Sequence, residues 1–131
     1  MEKECRAMTK ILLNELADVL KVHPRTVLRA LSGKENTYWA SDHNPSIEVV
    51  DVALAYDIEL DVLQRVLKGR DHLLTSPEAA AHISFIQDKN VPLRTFRYRK
   101  YPTAIRTTGV VRYSKLAIGE YHAVHVNVRI A

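Results

Sequence analysis

Ten residues constrain this chain more than any others: Val91-Pro-Leu-Arg-Thr-Phe-Arg-Tyr-Arg-Lys100, which hold four cations and two aromatics. At 3.6 residues per turn, Val91 and Phe96 can pack inward, while Leu93, Arg94, Arg97 and Tyr98 fall on or near an outward face. Such a basic helix suits the major groove of a duplex, where guanidinium forks reach guanine edges and phosphates. Tyr101-Pro102 stops the helix. Ala104-Ile-Arg106 then reads as a short strand, Thr107-Thr-Gly109 as a turn, and Val110-Val-Arg-Tyr113 as a returning strand. A helix followed by a hairpin is the expected order.

The charge is unevenly spread along the 131 residues, although the net value is only +4. Residues 1–75 hold ten Lys/Arg against twelve Asp/Glu, whereas residues 76–131 hold nine against three, a surplus of six. That asymmetry points the C-terminal half towards a polyanion. With 47% apolar and 26% charged residues the chain reads as globular. No apolar run approaches a bilayer span, and the charged start Met1-Glu-Lys-Glu4 lacks the apolar core of a signal peptide. The single cysteine, Cys5, has no internal disulfide partner, which suits a reducing cytoplasm.

Two parts are expected, residues 1–74 and 75–131. In the first, Thr9 is expected to cap a helix over Lys10–Leu20. Val22-His-Pro-Arg25 breaks it, and Thr26–Leu31 resumes it until Gly33. Ala17 lets the two helices approach, Val22 plugs the turn, and Val27 and Leu31 anchor the second helix. The phrase Leu16-Ala-x-x-Leu-x-Val-x-x-x-Thr-Val-x-Arg-x-Leu31 resembles the helix-turn-helix of bacterial repressors over residues 13–33, with Lys21 where glycine is usual. The resemblance implies groove-facing roles for His23, Arg25, Leu28, Arg29 and Ser32, and DNA contact by Thr26. Residues 34–46 form a polar loop in which Tyr38 and Trp39 plug a core edge. Asn44-Pro45 reads as a cap and first helical residue.

From Ile47 the pattern returns with an offset of thirty-six residues. Ala17, Arg29, Leu31 and Gly33 match Ala53, Arg65, Leu67 and Gly69. Four identities in twenty do not establish a duplication, because any small helical pair asks for similar residues. The second copy carries Glu59, Asp61 and Gln64 where the first has His23, Arg25 and Leu28, and carboxylates there repel phosphates. Its expected work is to bury the first copy's apolar face in a four-helix domain.

Leu73-Leu74 reads as a connection. Ser76-Pro-Glu78 then reads as cap, first-position proline and first-turn acid. Residues 76–124 resemble the excisionase and MerR-like winged-helix family of phages and mobile elements. Ser76-Pro-Glu-Ala-Ala80 opens the first helix, and Asn90-Val-Pro-Leu-Arg-Thr-Phe-Arg-Tyr98 covers the turn and recognition helix. Pro102-x-Ala-Ile-Arg-Thr-x-Gly-Val-Val-Arg-Tyr113 is the wing, and Leu116-Ala-Ile-Gly-Glu-Tyr121 the closing helix. Pro92 stands where the family often has a capping serine, and Arg99 where a packed tryptophan is common; either Arg99 snorkels or Tyr101 fills the space. The resemblance implies that Leu93, Arg94, Arg97, Tyr98 and Lys100 meet DNA from the helix, and Arg106, Thr107, Thr108 and Arg112 from the wing. Beyond Tyr121, Val124, Val126, Val128 and Ile130 alternate with polar residues, the pattern of a half-buried strand. It would join the wing sheet or pair with another protomer in a homodimer.

The fold expected is therefore mainly α, with a helix-turn-helix domain, a winged helix carrying a small hairpin, and a C-terminal strand. No ligand cluster surrounds His122 and His125, and no phosphate-cradling glycine loop, nucleophile elbow or acid pair is present. Neither metal, other cofactor nor enzymatic chemistry is expected. The expected function is a repressor-type regulator binding double-stranded DNA in a bacterial cytoplasm, at the nucleoid, by excluding polymerase. The alternatives are an excisionase that bends DNA for an integrase, and a protein-binding adaptor without DNA affinity.

Overall fold

The computed structural model of the chain describes residues 9–31, 45–107 and 109–126. These divide between two compact units, residues 1–70 and 71–131. Both are mainly helical with small antiparallel sheets.

The N-terminal unit is built twice from a strand and two helices. The first copy holds β1 (Lys10–Leu12), α1 (Leu13–Leu20) and α2 (Pro24–Leu31); the second holds β2 (Ser46–Glu48), α3 (Val49–Tyr56) and α4 (Leu60–Leu67). The strands pair antiparallel, with Lys10 opposite Glu48, Ile11 opposite Ile47 and Leu12 opposite Ser46. Equivalent residues thus exchange places across the Ile11–Ile47 pair, which defines an approximate two-fold axis. Its hydrogen bonds obey the same offset. Leu13 N–H donates to the Pro45 carbonyl at 2.9 Å, and Val49 N–H to the Thr9 carbonyl at 2.9 Å. At the helix ends, Val22 N–H meets the Ala17 carbonyl at 3.0 Å and Ile58 N–H the Ala53 carbonyl at 3.1 Å.

The helix expected over Lys10–Leu20 starts only at Leu13, because residues 10–12 find a strand partner far along the sequence. Thr9 consequently caps nothing and supplies a carbonyl instead. For the same reason Pro45 precedes a strand, and the helix expected after it begins at Val49. The α1–α2 and α3–α4 turns come where Lys21 (φ 60°) and Asp57 (φ 52°) adopt left-handed backbone. Lys21 itself takes the conformation glycine would supply. Leu13, Leu16, Leu20, Val27 and Leu31 are buried from the first copy, and Val49, Val52, Tyr56, Leu63 and Val66 from the second. Ser32, Gly33, Tyr38, Trp39 and Asn44 lie outside the described residues.

In the C-terminal unit, α5 (Ser76–Gln87) and α6 (Leu93–Tyr98) are followed by a hairpin, β4 (Ile105–Thr107) and β5 (Val110–Ser114), and by α7 (Lys115–Tyr121). Leu73-Leu74, expected as a connection, is a strand (β3) that pairs with β5, giving the order β3-β5-β4. The cap of α5 is Thr75, one residue earlier than expected. Thr75 Oγ1 accepts from Glu78 N–H at 3.4 Å, and Glu78 Oε1 accepts from Thr75 N–H at 2.9 Å. This reciprocal box needs an acid three residues after the cap, which Glu78 supplies to Thr75 and Ala79 cannot supply to Ser76.

Buried Asp71 ties the unit's first residues to its last helix. Its carboxylate accepts from the Ser114 hydroxyl, from Leu116 N–H at 3.1 Å and from His72 N–H at 2.7 Å. The strand expected from the alternating valines does not form over His122–Val126; those residues continue α7 as a π-helical turn. A strand would bury Val124 with Val126. The helix instead buries His122 and leaves Val126 partly buried one turn on, while Val124 faces solvent. Residues 127–131 lie outside the description.

Candidate nucleic-acid interface

The short helix α6 is held from beneath by aromatic packing. Phe96 is fully buried and stacks on Tyr101 with ring centroids 4.7 Å apart, and meets Tyr113 edge-on at 5.0 Å. Aromatic pairs in such geometries add about 0.5–1.5 kcal/mol each beyond the area they bury. The turn before α6 is fixed by Ser84, whose hydroxyl donates to the Ala80 carbonyl at 2.9 Å and accepts from Val91 N–H at 2.8 Å. No side chain caps α6 at Pro92. Packing, not capping, therefore sets its position.

Tyr101 is buried against Phe96, and Arg99 reaches its hydroxyl. The Arg99 guanidinium donates to Gln87 Oε1 at 3.0 Å and to the Tyr101 hydroxyl at 3.2 Å. The same hydroxyl lies 2.8 Å from His122 Nδ1. Burial, then the charge on Arg99, holds the His122 pKa below the ordinary histidine value. Arg99 is thus a packing cation, unlike its neighbours.

Arg94, Arg97 and Tyr98 are exposed, Tyr98 at 84%. Leu93 is half-buried against the core and offers less surface than its position suggests. Lys100 is exposed and left-handed (φ 57°), ending the helix. Beyond it the hairpin forms with Thr107 opposite Val110, and Gly109 at φ 74° turns the chain. Arg106 is exposed and Thr107 half-buried, while Thr108 is not described. Arg112 is half-buried and donates to the Val111 carbonyl at 2.8 Å, so its guanidinium is partly committed within the hairpin.

Between the end of α6 and the hairpin lies a cleft of about 550 Å³. Arg97, Lys100 and Arg106 line it, with Ser76 and Thr103, over a floor of Phe96, Tyr101 and Tyr113; no carboxylate is among its lining residues. Three cations with no carboxylate among the lining residues give the cleft a positive potential. Ser76 and Thr103 were not foreseen there. The Thr75–Glu78 spacing could have revealed the first, since it leaves Ser76 off capping duty.

In the N-terminal unit, Arg25 and Arg29 are exposed on α2 and Thr26 is half-buried. His23 is exposed, and its Nδ1 accepts from Arg25 N–H at 3.1 Å, so the ring caps its own helix. Among the described residues no cluster of three His, Cys, Asp or Glu could hold a metal, and no helix is long and apolar enough to cross a membrane. Comparison of the chain with protein-family models, with curated proteins and with solved structures found no match.

Proposed function

We propose that the protein is a sequence-specific double-stranded DNA-binding regulator of repressor type. In this reading the C-terminal unit acts as a winged helix-turn-helix, with α6 as recognition helix and the β4–β5 hairpin as wing. The α1–α2 pair acts as a second, repressor-like reader. One observation carries the proposal: the cation-lined, carboxylate-free cleft of Arg97, Lys100 and Arg106, adjoining the exposed Arg94 and Tyr98. Phosphates would dock the protein there and base edges would meet α6. Regulation follows from occupying a site and excluding polymerase. A phage or mobile-element setting rests on the resemblance of residues 76–124 alone.

A salt series tests this. Affinity for random duplex should fall steeply as salt rises, and mapping of bound sites should then find promoters. Attachment sites beside an integrase would favour the excisionase instead. Absence of salt-dependent binding by a folded protein overturns both and leaves the adaptor reading. That second reading has an observation of its own, since Val50 (53% exposed) and Leu54 (66%) stand one turn apart on the outer side of α3.

A further inference from the structure

We propose that the cleft between α6 and the hairpin seats one backbone phosphate, so that Arg97 is a phosphate ligand and base reading falls to Arg94 and Tyr98. This rests on the DNA-binding reading above and departs from the expectation that Arg97 reads base edges.

The argument starts from helical geometry. Arg94 and Tyr98 are four residues apart and about 40° apart around α6, whereas Arg97 lies on the flank of that stripe, about 60° from Arg94 and about 100° from Tyr98. That rotation brings it to the side of the hairpin, where it lines the cleft with Lys100 and Arg106. Neither Arg94 nor Tyr98 lines it. The donors come from three separate segments: the end of α6, the hairpin, and the start of α5 through Ser76. Their chemistry matches one tetrahedral anion. Guanidinium forks from Arg97 and Arg106 suit paired phosphate oxygens, Lys100 adds a point charge, and the Ser76 hydroxyl is a neutral donor. The floor of Phe96, Tyr101 and Tyr113 is aromatic and suits the face of a sugar.

The test uses the full chain and separates a phosphate contact from a base contact. Arg97→Ala should weaken binding to a preferred site and to random duplex by the same factor, about tenfold, and should lower the log–log salt slope by about 0.9. Arg94→Ala should instead relax preference at one base pair. Duplexes carrying single methylphosphonate linkages locate the seat. One position should weaken wild type and have no further effect on Arg97→Ala. Lys100→Gly guards against a folding artefact, because glycine accepts φ 57° freely: its thermal midpoint should not fall while its affinity does.

An Arg97→Ala variant that changes preference at one base pair with its salt slope intact overturns the assignment, although DNA binding itself stands. Titration with inorganic phosphate or a mononucleotide, followed by NMR shifts of Arg97 and Ser76, distinguishes a free-anion pocket. Saturation below millimolar concentration without duplex overturns the backbone seat. A wild-type chain with no salt-dependent duplex binding overturns the DNA-binding reading and this assignment together.

Discussion

Residues 10–31 and 46–67 run through the same strand, helix, turn and helix, yet they present different chemistry to water. Ala17 and Ala53 are both buried, and Lys21 and Asp57 both close a helix left-handed. On the outside, Asn14, Asp18, His23 and Arg25 of the first copy stand where the second has Val50, Leu54, Glu59 and Asp61. Inside positions are held by the need to fill a shared core, and turn positions by backbone geometry. Outside positions answer to neither and have diverged in both charge and polarity. A similar framework thus carries Arg25 and Arg29 on its second helix in one copy, and in the other an Asp61–Arg65 ion pair there with Val50 and Leu54 exposed on the helix before it. Fold alone does not fix function at this scale: on the proposed reading, a reader of DNA and a supporting element would share one backbone plan.

The largest effects should come from the interior, where the copies are most alike. Leu16→Ala and Leu63→Ala each empty a fully buried site and should each cost about 2–5 kcal/mol in denaturant unfolding. The strands cross-pair and each copy's first helix begins on a carbonyl of the other, so both variants should lower one common transition. Hydrogen exchange would break the equivalence. If Leu63→Ala opens α3 and α4 while α1 and α2 keep their protection, the copies are separate folding units.

Exterior substitutions should leave stability nearly unchanged and divide the copies by function. Arg25→Ala should weaken duplex binding, reduce the salt slope by about 0.9 and shorten the footprint at one end. Asp61→Ala should leave the footprint as it is; its ion pair with Arg65 spans 3.6 Å and is largely exposed, worth about 0–1 kcal/mol. Equal losses from the two variants would mean that both copies face the duplex, and the contrast would fall. No loss from Arg25→Ala in a folded protein would make the whole unit a scaffold, which favours the excisionase or adaptor readings.

The parts of this fold visible in the sequence are those with a local signature. Phe96 buried beneath Arg94 and Tyr98 follows from helical period, and the hairpin follows from Thr107-Thr-Gly109 between two short apolar runs. The thirty-six-residue offset is visible through Ala17 and Ala53. The strands β1 and β2 are not, because three residues carry no period and the partner that makes them strands is remote. Leu73-Leu74 reads as a connection for the same reason, since its strand partner at Tyr113 and Ser114 is remote. The valines after Tyr121 mislead for a related reason. Alternation at 124, 126 and 128 is a strand signal, but the pull of Tyr101 on His122 and of Tyr121 on His125 favours continuing the helix. As for the candidate site, its cations were evident residue by residue. Their division between a cleft and a helix face was not, since it depends on where the hairpin folds back.

The smallest expected effect lies at the two left-handed turn residues, and it probes the most conserved-looking feature of the pair. A non-glycine residue at φ near 60° carries a cost of about 1–2 kcal/mol, and aspartate bears it better than lysine because its short polar side chain can bond locally. Glycine removes that cost but adds unfolded-chain entropy of about 0.4–1 kcal/mol. Lys21→Gly should therefore stabilise the N-terminal unit by roughly 0.5–1 kcal/mol, a rise of a few degrees in its thermal midpoint. Asp57→Gly should leave the midpoint close to unchanged. Lysine at 21 then reflects what its side chain does on the surface, and aspartate at 57 reflects tolerance of the turn. If Asp57→Gly stabilises as much as Lys21→Gly, backbone strain alone governs both turns and the copies are equivalent there too. If Lys21→Gly destabilises, the lysine side chain contributes more to the folded state than its strained backbone costs. The first copy's turn would then differ from the second's in kind, despite matching dihedral angles.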